Sequence, residues 1–354
     1  MSAGDAAGDA AGAAREAAER AALAQAAEAG IHRIALPTPF LVGRVNCYLI
    51  EDDPLTLVDT GPNSGKSLDE LERALAALGR RVEDIGLIII THQHIDHLGL
   101  LEILARRSGA EVAAFHLLEP YLRNFSASAA ADDEFSIQLM LRHGVPPELA
   151  TALASVGAAF RGFGSSGPVT QPLRDGDEVR LRDRAFRALH RPGHSPSDTL
   201  FFDEQRGIVL AGDHLLAHIS SNPLLSRPLQ EPAADDGGRP HALLDYMASM
   251  RATRAMPAGL VLGGHGAPVT DHVSLIDERF RMHDRRARKL QGLLEADPAH
   301  QATAFDLASR MWGNVAVTQA MLTISEVIGH LDLLIAEGVV REDADGDVTR
   351  FVTA

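Results

Sequence analysis

Within Thr91-His92-Gln93-His94-Ile95-Asp96-His97 the chain sets three imidazoles and one carboxylate into six positions, between the apolar run LIII at 87–90 and the segment LGLLEILARR. The run therefore reads as a loop joining a buried strand to a helix. Imidazole nitrogens and carboxylate oxygens are ligands for borderline divalent cations. In an extended loop His92 and His94 point the same way, while Asp96 and His97, at the turn into the helix, can face a second centre. Two neighbouring cations are expected. A solvated His-rich loop would explain one such run. It does not explain isolated groups further along that fall at the ends of predicted strands: His194 in RPGHSPSD, Asp213 in VLAGDH and His265 in VLGGHG. Five histidines and two carboxylates are thus expected to meet at one rim of the fold and bind metal.

The chemistry follows from charge. Two divalent ions roughly 3.5–4 Å apart lower the pKa of a bridging water toward neutrality and make it a hydroxide nucleophile, while one ion polarises the scissile group. No serine nucleophile is required. Asp96 is expected to accept a hydrogen bond from that hydroxide and aim it. The nitrogen and carboxylate set suits zinc, and iron and manganese tolerate the same shell. Ser195, Ser197 and Asp198, after Pro192-Gly193, read as turn residues that cap the His194 loop. His214 and His218 either face the cleft or pack away from it.

The elements that must position these groups are legible in the pattern. From Ile31 short apolar runs bounded by turn residues, IHRIALP, VNCYLIED and LTLVDTGPN, read as strands, with a helix over Ser67–Leu78. LIII and EVAAF (111–115) continue the series. The stretch 117–160, rich in Ala, Leu and Met, reads as a helical insertion beside the site. Strands resume at 177–181, 185–190, 199–202 and 207–211, a helix covers about 240–253, and a last strand runs 259–264. This interleaving fits an α/β fold of two sheets face to face with helices outside, a four-layer αββα sandwich.

Both ends differ from this middle. Residues 1–30 are Ala-rich, with 1–14 expected to be disordered and 15–29 helical, a solvated tail without function. The tail lacks the basic start and unbroken apolar stretch of a secretory signal, and no run approaches the roughly 20 apolar residues of a membrane span. A cytoplasmic protein without a membrane partner is expected, and the lone Cys47 is compatible with a reducing compartment. Residues 31–297 read as the main domain and 298–354 as a small second one, whose three helical segments and hairpin, turning near Asp345-Gly346, suggest a winged helix. That segment carries eight carboxylates against three arginines, and its last helix has no Arg or Lys. It lacks the side chains that read bases or clamp phosphates, so packing or homodimer formation is the expected role. The whole chain, 354 residues with Lys+Arg 33 against Asp+Glu 48 and a net charge of -15, also disfavours nucleic acid as a partner.

With VDTGP (58–62), THQHIDHLG (91–99), PGHS (192–195), AGDH (211–214) and GGHG (263–266) in this order, the chain resembles the metallo-β-lactamase superfamily in its dinuclear hydrolase form. The resemblance covers roughly residues 31–275. The region after 298 resembles the winged helix of the lactamase-like branch related to glyoxalase II. The resemblance implies that His92, His94 and His194 hold one metal, that Asp96, His97 and His265 hold the other, and that Asp213 bridges them. Asp59 is similar to the family's acid that orients the site. The implied activity is hydrolysis of an ester, thioester or related acyl bond of a small molecule. The basic segment Arg279, Arg281, Arg285, Arg286, Arg288 and Lys289 either contacts the acidic portion of a thiol conjugate or coenzyme A thioester or simply solvates a helix and balances nearby acids. The competing reading is an endoribonuclease acting on single-stranded RNA. A basic, aromatic-rich groove would favour RNA, and a narrow apolar pocket under the 117–160 insertion would favour an acyl substrate.

Overall fold

The computed structural model describes residues 3–230, 239–344 and 346–354. The first sheet has six strands in chain order: β1 (Ile31–Leu36), β2 (Val45–Ile50), β3 (Thr56–Val58), β4 (Leu87–Ile90), β5 (Glu111–Phe115) and β6 (Gln171–Leu173). β1 to β3 pair antiparallel, and β3 through β6 run parallel. The second sheet, ordered β11-β10-β9-β8-β7, comprises β7 (Glu178–Arg180), β8 (Ala185–His190), β9 (Thr199–Asp203), β10 (Ile208–Gly212) and β11 (Leu260–Gly263). Only β10 and β11 pair parallel within it.

Alternation along the strands builds the layers. In β4, Leu87 and Ile89 face the second sheet and meet Phe186, Phe201, Leu210 and Leu262, while Ile88 and Ile90 face outward. A strand buried on both faces must be apolar throughout, which is why LIII carries no polar residue. The outer face of the first sheet is covered by α2 (Gly65–Ala77), the one-turn α3 (Ile95–Leu98), α4 (Leu101–Ser108) and α5 (Leu118–Arg123). α6 (Phe125–Arg142) and α7 (Pro147–Phe160) complete the helical insertion. On the second sheet's outer face, α8 (Ala242–Arg254) and the long α9 (His272–Glu295) pack Leu243, Tyr246, Met250 and Ile276 against Leu200, Val209 and Val261. This is the four-layer sandwich expected.

The Ala-rich tail departs from expectation. Helix α1 (Ala3–Glu28) begins near the start of the chain, and Ala22 and Ala26 are buried in the core between the sheets. Alanine's helix propensity outweighs three scattered glycines, and its small side chain can close the sheet edge. Disorder over 1–14 is therefore not what the structure shows from residue 3 onward, and the later turns are packed rather than solvated.

The C-terminal segment contains α10 (Ala304–Trp312), α11 (Asn314–Thr318), α12 (Ala320–Ala336) and a sheet ordered β12 (Gln301–Ala302), β14 (Arg350–Thr353), β13 (Val340–Asp343). The β13–β14 hairpin was expected, and Asp345 of its turn lies outside the described residues. β6 and β12 are too short to leave a periodic signal. Leu307, Ile324, Ile328 and Phe351 share one apolar core with Leu139, Met140 and Ala150 of the insertion and with Leu290 and Leu294 of α9. The insertion and the C-terminal helices thus support each other. Among the described residues no helix is long and apolar enough to cross a membrane.

A buried ion pair ties the segment before α8 to the C-terminal helices and hairpin. Arg239 Nη1 donates to Asp332 Oδ2 at 2.8 Å, its Nη2 reaches Glu342 at 2.9 Å, and His241 also meets Asp332. Burial alone would raise the Asp332 pKa, but Arg239 and His241 outweigh it and hold the carboxyl below its usual range. Arg239→Met should cost about 3 kcal/mol at neutral pH by stranding that carboxylate. The deficit should shrink on acidification, because the stranded Asp332 would take up a proton above the unfolded-state value of about 3.9. Guanidinium unfolding midpoints of the two proteins at pH 7.5 and pH 5 check both statements.

Candidate metal centre

Parallel neighbours end on the same rim, and the chain uses this twice. Asp59 follows β3 and His92 follows β4 in one sheet, while Asp213 follows β10 and His265 follows β11 in the other. His194 arrives on the β8–β9 loop. His94 is the extended N-cap of α3, with φ -71 and ψ 143, and the helix then turns Asp96 and His97 inward.

All seven expected ligands come together. Ligand atoms of His92, His94 and His194, of His92, His97 and Asp213, and of Asp96, His97 and His265 form three groups in each of which every atom lies within 4.8 Å of the others. His194 Nε2 is 2.9 Å from His94 Nδ1. Asp213 Oδ2 lies 3.4 Å from His265 Nε2 and 3.6 Å from His194 Nε2, between the two histidine sets. Asp96 Oδ2 lies 3.3 Å from His265 Nε2.

Hydrogen bonds behind the cluster fix the tautomers. The second nitrogen of each of four imidazoles faces an acceptor: His97 Nδ1 meets Asp59 Oδ2 at 2.7 Å, His265 Nδ1 meets the Arg44 carbonyl at 2.8 Å, and His194 Nδ1 meets the Asn222 carbonyl at 3.2 Å. His92 Nδ1 meets Thr91 Oγ1 at 2.9 Å, and that hydroxyl donates to Asp59 Oδ2 at 2.8 Å. Each proton is held on Nδ1, so each Nε2 lone pair points inward. Asp59 adopts a left-handed backbone, φ 59, which only a few non-glycine residues tolerate. The conformation lets one carboxylate serve Thr91 and His97 together. This agrees with the orienting role expected for it.

Three buried atoms inside the cluster, His92 Nε2, His97 Nε2 and Asp213 Oδ1, have no hydrogen-bond partner. Native interiors rarely leave such atoms unsatisfied, and cations bound within the cluster would satisfy them. Electrostatics agree. Burial pushes His92 well below the usual imidazole range and His94 down to about 3. Burial would depress His97 and His265 too, but Asp213 and the neighbouring carboxylates outweigh it, lifting His97 above its usual range and His265 to about 9. The residues therefore fit divalent metal.

The surroundings hold both expected and unexpected supports. Ser195 and Asp198 bond each other at 2.7 Å, and Gln93 N donates to Ser197 Oγ at 3.1 Å, sewing the two ligand loops together. Asn46 Nδ2 and Tyr48 hydroxyl donate to the Gly263 carbonyl at 3.0 and 2.7 Å and steady the His265 loop. Neither was visible in sequence, since both read as ordinary strand residues. His214 packs away from the cleft, with Nε2 2.9 Å from Thr253 Oγ1. His218 is exposed and does not line the cleft. The basic segment does not reach it either: Arg279 caps the carbonyls of Leu216 and Ile219, and Arg286 and Arg288 pair with Glu326 and Glu337. The ligands open into a cleft of about 660 Å³, walled by Phe40, Ile95, Leu216, Leu224 and Met321.

Gly264 makes the cluster possible. A Cβ there would lie 2.3 Å from Asp213 Oδ1 and 2.6 Å from His97 Cε1, and the backbone cannot retreat because Gly264 bonds Gly212 and Asn46 at 2.6 Å on either side. Gly264→Ala should weaken metal binding about ten- to hundredfold while the circular dichroism spectrum persists. Competition with a chelator measures this.

The family model for the metallo-beta-lactamase superfamily matches residues 41–265. The "Probable metallo-hydrolase YqjP" of Bacillus subtilis (strain 168) is 34% identical over 320 residues, covering 90% of this chain and 97% of its own. An atrochrysone carboxyl ACP thioesterase of Claviceps purpurea is 26% identical over 235 residues, which is 63% of this chain and 67% of that one. The crystal structure of a metallo-beta-lactamase family protein from Thermus thermophilus superposes with a TM-score of 0.76 at 27% identity, over 92% of this chain and 99% of its own. A metal-ligand cluster at the strand ends of an αββα sandwich, matched over nearly the whole length of a metallo-hydrolase, makes this chain a member of the metallo-beta-lactamase superfamily and a metal-dependent hydrolase.

Proposed function

We propose that the protein hydrolyses an ester or thioester bond of a small acyl substrate at two divalent ions, of which zinc suits the ligands best. His92, His94 and His194 would hold one ion, Asp96, His97 and His265 the other, with Asp213 between them. When bound, such ions ionise a water near neutral pH and polarise the carbonyl. The chain's own residues do the rest. Asp59 keeps His97 in the tautomer that offers Nε2. Asp96 accepts a hydrogen bond from the attacking water and aims it at the carbonyl carbon. The apolar walls exclude bulk water and hold the acyl portion.

The observation that carries this reading is the union of the ligand cluster with an apolar cleft under the insertion. Among the described residues lining that cleft, Arg227 is the only Arg or Lys. A single-stranded RNA would need a basic track with stacking aromatics instead. The thioesterase relative favours the same acyl chemistry. We read the C-terminal segment as a winged helix of the glyoxalase II-like branch, used for packing rather than for nucleic acid.

Zinc-loaded protein is expected to cleave acyl esters or thioesters in a panel that also holds a lactone, a phosphodiester and a short RNA. Turnover of the RNA alone would overturn the proposal. His94→Ala and Asp96→Ala should each lower kcat by about 10²-fold or more without unfolding the chain. Near-normal turnover in either purified variant would refute the assignment of these residues.

A further inference from the structure

One end of the cleft carries chemistry that the metal cluster does not use. Arg227 lies on the irregular segment after Asp213 and lines the cleft together with Tyr121 and Asp132 of the insertion. Its Nε donates to Asp132 Oδ1 at 2.8 Å, and the Tyr121 hydroxyl donates to Asp132 Oδ2 at 2.9 Å. Both carboxylate oxygens are thus engaged. Burial and the Asp132 charge push the Tyr121 phenol well above its usual range, so it stays a proton donor to that carboxylate.

This arrangement spends only the Nε side of the guanidinium. The two Nη groups have no hydrogen-bond partner among the described residues, and the side chain is 30% exposed. Paired Nη donors form the end-on fork that matches carboxylate or phosphate oxygens, and a braced guanidinium loses little further freedom on binding. Leu224, Leu225, Met321 and Leu322 line the same cleft beside the polar Ser136 and Ser226, and a fork partly enclosed in this way works at lower polarity than on an open surface. A partly exposed ion pair with Asp132 would by itself contribute little to stability.

We infer that Arg227, braced by Asp132 and Tyr121, is an anion-recognition subsite, and that the substrate carries a carboxylate or phosphate group joined through an apolar stretch to the scissile bond. The inference deepens the acyl hydrolase reading and rests on it for the identity of that bond. The anion can sit on the acyl side or on the thiol side. Arg227 and Asp132 are positioning residues here and take no part in bond cleavage.

Three thioesters separate the sources: hexanoyl and adipoyl N-acetylcysteamine, the second ending in a carboxylate, and hexanoyl 4′-phosphopantetheine, with its phosphate on the thiol side. Arg227→Met should raise KM about ten- to hundredfold for at least one anionic substrate, with kcat and the KM of hexanoyl N-acetylcysteamine almost unchanged. Arg227→Lys should recover part of the loss. Equal KM changes for neutral and anionic substrates, or none for either anion, would overturn the subsite. A second readout is independent of turnover: calorimetry on metal-stripped protein with monomethyl adipate, butyl phosphate and uncharged dimethyl adipate. Preference for an anion that disappears in Arg227→Met supports the subsite even if no thioester is cleaved, in which case only the acyl reading fails. If neither anion is preferred, or if the preference survives the substitution, the subsite is refuted.

Discussion

Asp59, Asp96 and Asp213 lie almost out of reach of water within one cluster of imidazoles, and burial would raise the carboxyls of Asp96 and Asp213 did not the His97 and His265 imidazoles hold them below their usual range. Much of the surrounding architecture answers that constraint. His97, touched by all three acids, and His265, touched by two, are the imidazoles whose affinity for a proton rises. His92 and His94, on the other flank, lose theirs. The protein has built a place that wants cations, and the Nδ1 acceptors behind four of the imidazoles ensure that lone pairs face it. Divalent metal would bind there with release of those protons.

Backbone economy makes the constraint bearable. Two pairs of parallel strands, one in each sheet, deliver their following residues to the same edge, so acids and imidazoles meet without long loops. Gly264 gives up its side chain so that Asp213 and His97 can approach. Asp59 accepts a left-handed backbone for a related reason: one carboxylate holds both the Thr91 turn and the His97 ring.

The clustered imidazoles and carboxylates and the layered fold were legible because each leaves a local mark. LIII announces a doubly buried strand, and histidines or aspartates just past such strands stand out against the apolar background. What escaped reading has no local mark. Asn46 and Tyr48 look like strand residues, and their bonds to Gly263 join positions more than two hundred residues apart. Arg227, alone in an irregular stretch, gains meaning only when α5 and α6 bring Tyr121 and Asp132 beside it. The basic run on α9 is conspicuous, and the bland reading of it holds: Arg279 caps carbonyls while Arg286 and Arg288 balance acids of α12 and its C-cap. The tail misled by composition, since alanine suits a disordered leader and a tightly packed helix equally well.

Met321 and Leu322, from the first turn of α12, belong to the wall of the cleft, and the core beneath them is shared with α6 and α7. Selectivity and the carboxyl-terminal module are therefore inherited as a set. Swapping that module between relatives would import a foreign wall along with it, and drift in its packing residues would retune substrate choice from a distance while every metal ligand stayed the same.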